Sequence, residues 1–373
     1  MIASAASGGR MKGASPFIVG VGASAGGIEA LEGMFRNVPA EGELAFVIVA
    51  HLAAGRESAL PEIIARFAAA PVSAARDGEK IEPNHIYVVT PGTLLTIRRG
   101  RLHAAKLDPL RHEHHPIDVF LTSLAEDQHE RAIGVILSGG GSDGALGIKA
   151  IKERGGLTLA QGTDTTAPRY PGMPASAIAT GVVDLVLPAQ DIVGKLADYA
   201  RRFRDTGELA AAGACAGAVN GEVVSEARQA ICTILRDQVG HDFNGYKERT
   251  FLRRVQRRMQ VLQLGKIEAY VERLRQDPDE VMLLFRDLLI GVTSFFRDPE
   301  AFDALETTVL PKLFDGKGAG DTIRVWVPGC ATGEEVYSLA MLLRERVEEQ
   351  RAAPKVQLFA TDIDGAALEV ARS

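Results

Sequence analysis

The stretch Val19-Gly20-Val21-Gly22-Ala23-Ser24-Ala25-Gly26-Gly27 closes an apolar run that begins at Phe17 and leads into a helix-length amphipathic segment. A β-branched run, a glycine turn and a helix, in that order, open a βαβ unit. The same residues satisfy two motifs: Gly20-x-Gly22-x-x-Ala25 fits a dinucleotide-binding turn, and Gly22-x-Ser24-x-Gly26 fits a nucleophile elbow. The residue at the end of the second strand separates them. A dinucleotide site wants Asp or Glu at that strand's tip to hold the ribose hydroxyls, but the run Ala45–Ala50 leads into His51. An imidazole cannot replace that carboxylate, which argues against a nicotinamide-dependent oxidoreductase. A serine nucleophile, by contrast, needs a base. Neighbouring strands of a parallel sheet share one carboxyl edge, so His51 is expected near Ser24.

Further strands are predicted at His85–Val89, Ile133–Leu137, Leu157–Ala160 and Val182–Leu187, with a hairpin over Leu94–Ala104 turning at Arg99-Gly100. The pattern from Phe17 to about Phe203 is that of an α/β domain with a doubly wound, mostly parallel sheet. Ile133–Leu137 runs into Ser138-Gly139-Gly140-Gly141-Ser142-Asp143-Gly144, which puts Asp143 where the acid orienting a catalytic histidine should stand. Asp143 is equally suited to cap the next helix, and the two roles can coexist. The order Ser, His, Asp differs from the Ser, acid, His order of α/β-hydrolases.

The chain has 373 residues, enough for two or three domains, and 46% hydrophobic with 24% charged residues describe a globular protein. Lys+Arg 42 against Asp+Glu 48 gives a net charge of −6, so the whole-chain field offers nothing to nucleic acid. Cys215, Cys232 and Cys330 lack CxxC spacing, and a reducing cytoplasm is the expected home. No membrane insertion is expected. Residues 1–16 read as a disordered tail, 17–203 as the first domain, 204–224 as an Ala/Gly-rich linker, 225–313 as a helical domain, and 322–373 as the start of a second α/β domain. Arg111-His112-Glu113-His114-His115 fits no compact zinc spacing, and no metal is expected.

Ile18–Gly27 with Ala50-His51-Leu52, the run Asp77–Gly92, Leu137–Gly147 and Gly172-Met173-Pro174-x-Ser176-Ala177-Ile178 together resemble the catalytic domain of the chemotaxis protein-glutamate methylesterases, CheB. The resemblance implies Ser24 as nucleophile, His51 as base and Asp143 as acid. It also implies backbone oxyanion donors at Ala25, often Thr in that family, and at Gly140, usually Met. The esterase is expected to need no cofactor.

Phe243–Met259 and Leu289–Pro299 are similar to the N-terminal helical domain of the chemotaxis receptor methyltransferases, CheR. That family is implied to set a basic helix against acidic receptor helices, here through Arg253, Arg254, Arg257 and Arg258. Arg324–Ser338 resembles the family's S-adenosylmethionine loop, and Asp362 comes after the next strand as a ribose acid should. Thr293, Arg297, Glu335 and Asp362 are implied cofactor contacts, with Gly291 in place of a frequent Asn. Two strands are too few to close such a pocket, so poor cofactor binding and no methyl transfer are expected of this chain. The expected function is hydrolysis of glutamyl methyl esters on chemotaxis-type receptors, with glutamine deamidation as a companion reaction. A receptor-binding scaffold without turnover is the alternative, and methanol release separates the two.

Overall fold

The computed structural model describes residues 16–36, 43–51, 58–107, 115–162, 168–201, 218–289, 293, 295–350 and 352–372. The tail through Ser15, residues 204–217 of the expected linker with 202–203 before them, Arg111–His114 of the histidine cluster and Gly291 lie outside the described residues. The chain forms two compact units, Met1–Phe285 and Arg286–Ser373. No helix among the described residues is long and apolar enough to cross a membrane.

The first unit begins with β1 (Phe17–Ala23), α1 (Gly27–Phe35), β2 (Leu44–Ala50), α2 (Leu60–Ala65), β3 (Val72–Ala74) and β4 (Ile86–Val88). A hairpin of β5 (Thr93–Arg98) and β6 (Arg101–Lys106) comes next, then α3 (Pro116–Gln128), β7 (Ala132–Ile136), α4 (Ala145–Glu153) and β8 (Leu157–Gln161). α5 (Gly172–Ala179), β9 (Leu185–Leu187) and α6 (189–201) complete the sheet domain. Seven strands pair in the order β3-β4-β2-β1-β7-β8-β9, all parallel. β1 lies between β2 and β7, so its carboxyl end is the topological switch point.

Every residue of β1 is buried, because α1 and α6 cover one face of the sheet while α3, α4, α5 and the hairpin cover the other. A sheet buried on both faces selects continuous apolar runs over alternating ones. The glycines of β1 serve that packing. A Cβ on Gly20 would stand 2.5 Å from Leu121 Cδ2, and one on Gly22 the same 2.5 Å from Ile117 Cγ2. Both neighbours belong to α3, so the glycines let this helix lie directly on β1. The dinucleotide spacing has this packing origin.

Four helices lie within and across the end of this unit: α7 (Ala218–Val239), α8 (Glu248–Val261), α9 (Ile267–Gln276) and α10 (Pro278–Leu289). α7 begins inside the stretch expected to be linker, with residues 218–224 forming its first two turns. The expectation for α8 needs correction. Arg253 is exposed, but Arg254, Arg257 and Arg258 are only 5%, 4% and 3% exposed. Arg257 pairs with Asp184, just before β9, and Lys152 of α4 reaches the same carboxylate at 2.7 Å. Arg258 forks onto Glu280 at 2.9 and 2.6 Å, and the Tyr270 hydroxyl donates to that carboxylate at 2.9 Å. Arg254 donates to the Glu153 carbonyl at 3.4 Å. These three guanidinium groups satisfy acceptors inside the unit, so they do not present a basic face to a receptor. Val261, at the end of α8, joins the core beneath α1 and α6.

The second unit contains α11 (Pro299–Ala304), α12 (Leu310–Phe314), β10 (Thr322–Pro328), α13 (Glu334–Glu348), β11 (Lys355–Thr361) and α14 (Gly365–Arg372). β10 and β11 pair in parallel, and Ile323, Val325, Val356 and Leu358 pack with Phe302, Leu342 and Leu343. On the opposite face Trp326 and Phe359, directly paired across the ladder, are 67% and 49% exposed.

Candidate active site

Ser24 and His51 come directly after β1 and β2, and Asp143 stands in the turn between β7 and α4. These are three adjacent strands at the switch point, and their carboxyl ends bring the three side chains together. Ser24 Oγ lies 3.2 Å from His51 Nδ1, and His51 Nε2 lies 2.7 Å from Asp143 Oδ2. The ring thus faces the hydroxyl with Nδ1 and the acid with Nε2, the reverse of the chymotrypsin arrangement. An Nε2–H donated to Asp143 leaves the Nδ1 lone pair free to take the serine proton.

The turn at Ser24 is held from several sides. Its N–H donates to the Ser138 carbonyl at 2.9 Å, and its carbonyl accepts from Gly27 at 2.8 Å. Gly26 takes a left-handed φ of 70°, which a side chain disfavours, and a Cβ there would come 2.8 Å from Ser138 Oγ. Ser138 in turn donates its hydroxyl to the Ala25 carbonyl and its N–H to Gln161 Oε1, both at 2.9 Å. Sequence reasoning passed over Ser138 and Gln161 in their supporting roles; the only signal was the position of Ser138 at the tip of β7. Ala25 and Gly140 are both exposed beside this turn, and among the described residues their N–H groups donate to no protein acceptor. Around the position of a Cβ on Gly140 there is open space to 4 Å.

Asp143 is 4% exposed. Burial alone would raise its carboxyl, but the His51 hydrogen bond and the N–H groups of Asp118 and Ile117 outweigh burial and hold it below its ordinary value. A second carboxylate, Asp118, is 8% exposed beside it. Burial, joined by the charge of Asp143, pushes Asp118 up to about 6, against the opposing pull of the Gly147 N–H and His115. His115, Asp118 and Asp143 bring one polar atom each within 4.8 Å of the others, but His51, Ile117, Asp118 and Gly147 already donate to these carboxylates.

The raised Asp118 carries a stability consequence. Its folded value lies above the unfolded one, so the folded state holds its proton more tightly and stability falls as pH rises from about 4 through about 6. Asp118→Asn is neutral at every pH and is expected to be the more stable protein at pH 8, by on the order of 2 kcal/mol. Urea unfolding of both chains at pH 5 and pH 8 checks this: the advantage should widen with pH, and a constant or reversed difference would count against it.

In the second unit a cavity of about 530 Å³ is lined by Thr293, Arg297, Gly329, Ala331, Glu335 and Asp362, among others. The four residues implied as cofactor contacts therefore share one pocket. Asp362 Oδ2 accepts the Ala331 N–H at 2.7 Å, which ties the glycine turn after β10 to the tip of β11.

Comparison with known proteins matches three family models in succession. Residues 19–196 match the CheB methylesterase model, 226–289 the all-alpha domain of CheR methyltransferase, and 291–373 its SAM-binding domain. The chain joins a CheB methylesterase domain to CheR methyltransferase domains. An uncharacterized 104.1 kDa protein of Rhodobacter capsulatus is 38% identical over 326 residues, 84% of this chain and 34% of that protein. A protein-glutamate methylesterase/protein-glutamine glutaminase of Carboxydothermus hydrogenoformans is 37% identical over 186 residues, 48% of this chain and 54% of its own length. The CheB–CheR chain thus spans about a third and about half of these relatives. The CheB methylesterase catalytic domain of Thermotoga maritima is 32% identical, with 50% of this chain and 99% of that one covered at a TM-score of 0.45.

Proposed function

We propose that the CheB domain hydrolyses glutamyl methyl esters with Ser24 as nucleophile, His51 as base and Asp143 as orienting acid. The observation that carries this is the continuous hydrogen-bonded chain from Ser24 Oγ through both nitrogens of His51 to Asp143. His51 Nδ1 takes the Ser24 proton as Oγ attacks the ester carbonyl, and the Ala25 and Gly140 N–H groups receive the oxyanion. Asp143, ionised across the neutral range, stabilises the imidazolium. The imidazolium then protonates the departing methoxide, releasing methanol and leaving an acyl-serine. Water, deprotonated by Nδ1, attacks the acyl carbon; the imidazolium returns that proton to Ser24 as the glutamic acid side chain leaves, and the freed acid gives its own proton to solvent. A primary amide takes the same course with ammonia as the leaving group, which supports a glutaminase activity like that named for the relatives.

The substrates that fit this reading are methylated or amidated glutamyl side chains on methyl-accepting chemotaxis-type receptors. A scaffold without turnover has no use for a complete nucleophile, base and acid. In the CheR portion, Thr293, Arg297, Glu335 and Asp362 would hold S-adenosylmethionine, the carboxylates suiting ribose hydroxyls and Arg297 the amino-acid carboxylate. That cofactor supplies an electrophilic methyl group when bound. Methanol release from a peptide carrying γ-methyl glutamate tests the esterase reading, with Ser24→Ala as the comparison. Release undiminished by the substitution overturns it.

A further inference from the structure

Two helix starts in the CheB domain cap each other. Asp143, immediately ahead of Gly144 and α4, gives its oxygens to α3: Oδ2 accepts the Ile117 N–H at 3.1 Å, and Oδ1 accepts the Asp118 N–H at 2.9 Å. Asp118, in the first turn of α3, returns the bond by accepting the Gly147 N–H of α4 at 2.7 Å. Neither helix has a side-chain cap of its own at His115 or Gly144. A helix start leaves four N–H groups without intrahelical partners, and its dipole favours negative charge there. Here two aspartates, 25 residues apart, meet both needs crosswise.

The exchange matters because Asp143 faces two ways. The same Oδ2 that accepts from Ile117 meets His51 Nε2 at 2.7 Å. Its direction is fixed only if the turn between β7 and α4 is held against α3. Packing alone brings the helices close, since a Cβ on Gly147 would stand 2.5 Å from Leu121 Cβ. The bond from Gly147 to Asp118 adds a polar tie between the two helices, beside the Asp143 bonds to the start of α3.

We propose that Asp118 is a positioning residue of the esterase: by accepting from Gly147 it fixes the turn that carries Asp143, and through it the orientation of His51. This rests on the reading of Ser24, His51 and Asp143 as the catalytic triad. Asp118 itself touches no reacting atom.

The test uses the full chain and methanol release from a γ-methyl glutamyl peptide, with folding monitored by far-ultraviolet circular dichroism. Asp118→Ala is expected to lower kcat about 10-fold or more while KM stays within about 2-fold, because positioning acts on the chemical step. Asp118→Asn keeps an oxygen that can accept from Gly147, and should stay within about 3-fold of the wild-type kcat. In an Asp143→Ala background, Asp118→Ala should add less than about 2-fold, since its effect passes through Asp143. Should Asp118→Ala not fold, Asp118→Glu, which moves the acceptor by one methylene, takes its place under the same criteria. An unchanged kcat, equal losses from Ala and Asn, or the same factor in both backgrounds overturns the proposal. Ser24→Ala is run alongside. If it is inactive while the Asp118 variants behave as wild type, this inference alone fails; if it keeps the wild-type rate, the triad reading fails with it.

Discussion

Ser24→Ala is expected to lower kcat for methyl ester hydrolysis by on the order of 10⁴–10⁶, with His51→Ala close to it. The effect is large because the hydroxyl and the imidazole act as one unit, an oxygen without a base or a base without an oxygen being nearly useless. Asp143→Asn should cost less than either, on the order of 10³–10⁴, since the nucleophile and base survive and only the tautomer and the imidazolium suffer. The double variant Ser24→Ala with His51→Ala should be no slower than the worse single one. What activity persists would come from the Ala25 and Gly140 N–H groups acting on a bound ester. Single-turnover methanol release on the folded chain reads all four. A Ser24→Ala enzyme within 10-fold of wild type would mean that another group attacks the ester.

The meeting of Ser24, His51 and Asp143 was legible because its logic is one of strand ends. An apolar run, a small-residue turn and one polar residue recur after β1, β2 and β7, and a parallel sheet gathers such ends along one edge. The glycines of β1 were legible as a turn but not as a seat for α3, since Ile117 and Leu121 lie roughly a hundred residues further along the chain. β3, at three residues, is too short to show any alternation and passed unnoticed. Asp118 carried no motif, because its partner Gly147 is found only where two helices cross. α8 shows the sharpest divergence. Four arginines on one helix read as a solvent-facing stripe, whereas one of them meets a carboxylate 73 residues earlier in the chain. Sequence periodicity shows which side chains share a face, and it is silent on whether water or a distant acid lies opposite.

That distant acid is where the largest structural effect is expected. The Asp184 side chain is fully buried, and Lys152 and Arg257 beside it are 7% and 4% exposed. Its Oδ2 also accepts the Thr158 N–H at 2.9 Å and hydroxyl at 2.8 Å while Oδ1 accepts from Lys152, so both oxygens are occupied. Burial alone would raise its carboxyl, but Arg257 and Lys152 together hold it well below the usual carboxylate range. Asp184→Ala would leave two cations in a dry setting with no counter-charge, and is expected to cost about 3–5 kcal/mol. Arg257→Met should cost less, because Lys152 and Thr158 still serve the carboxylate and the methionine stem refills the space. Since the folded value is depressed, the stabilisation is present above the unfolded value of 3.8 and fades only as pH falls below it. The Asp184→Ala deficit should therefore be the same at pH 5 and pH 8, unlike the Asp118→Asn difference, which grows over that interval. Circular dichroism in urea reads both units, while Trp326, the chain's one tryptophan, reports on the second alone. A midpoint shift seen by circular dichroism but not by tryptophan fluorescence would place the damage in the first unit, which holds the Asp184 cluster. An Asp184→Ala chain as stable as wild type would mean that Arg257 and Lys152 are solvated rather than packed between α8 and the sheet.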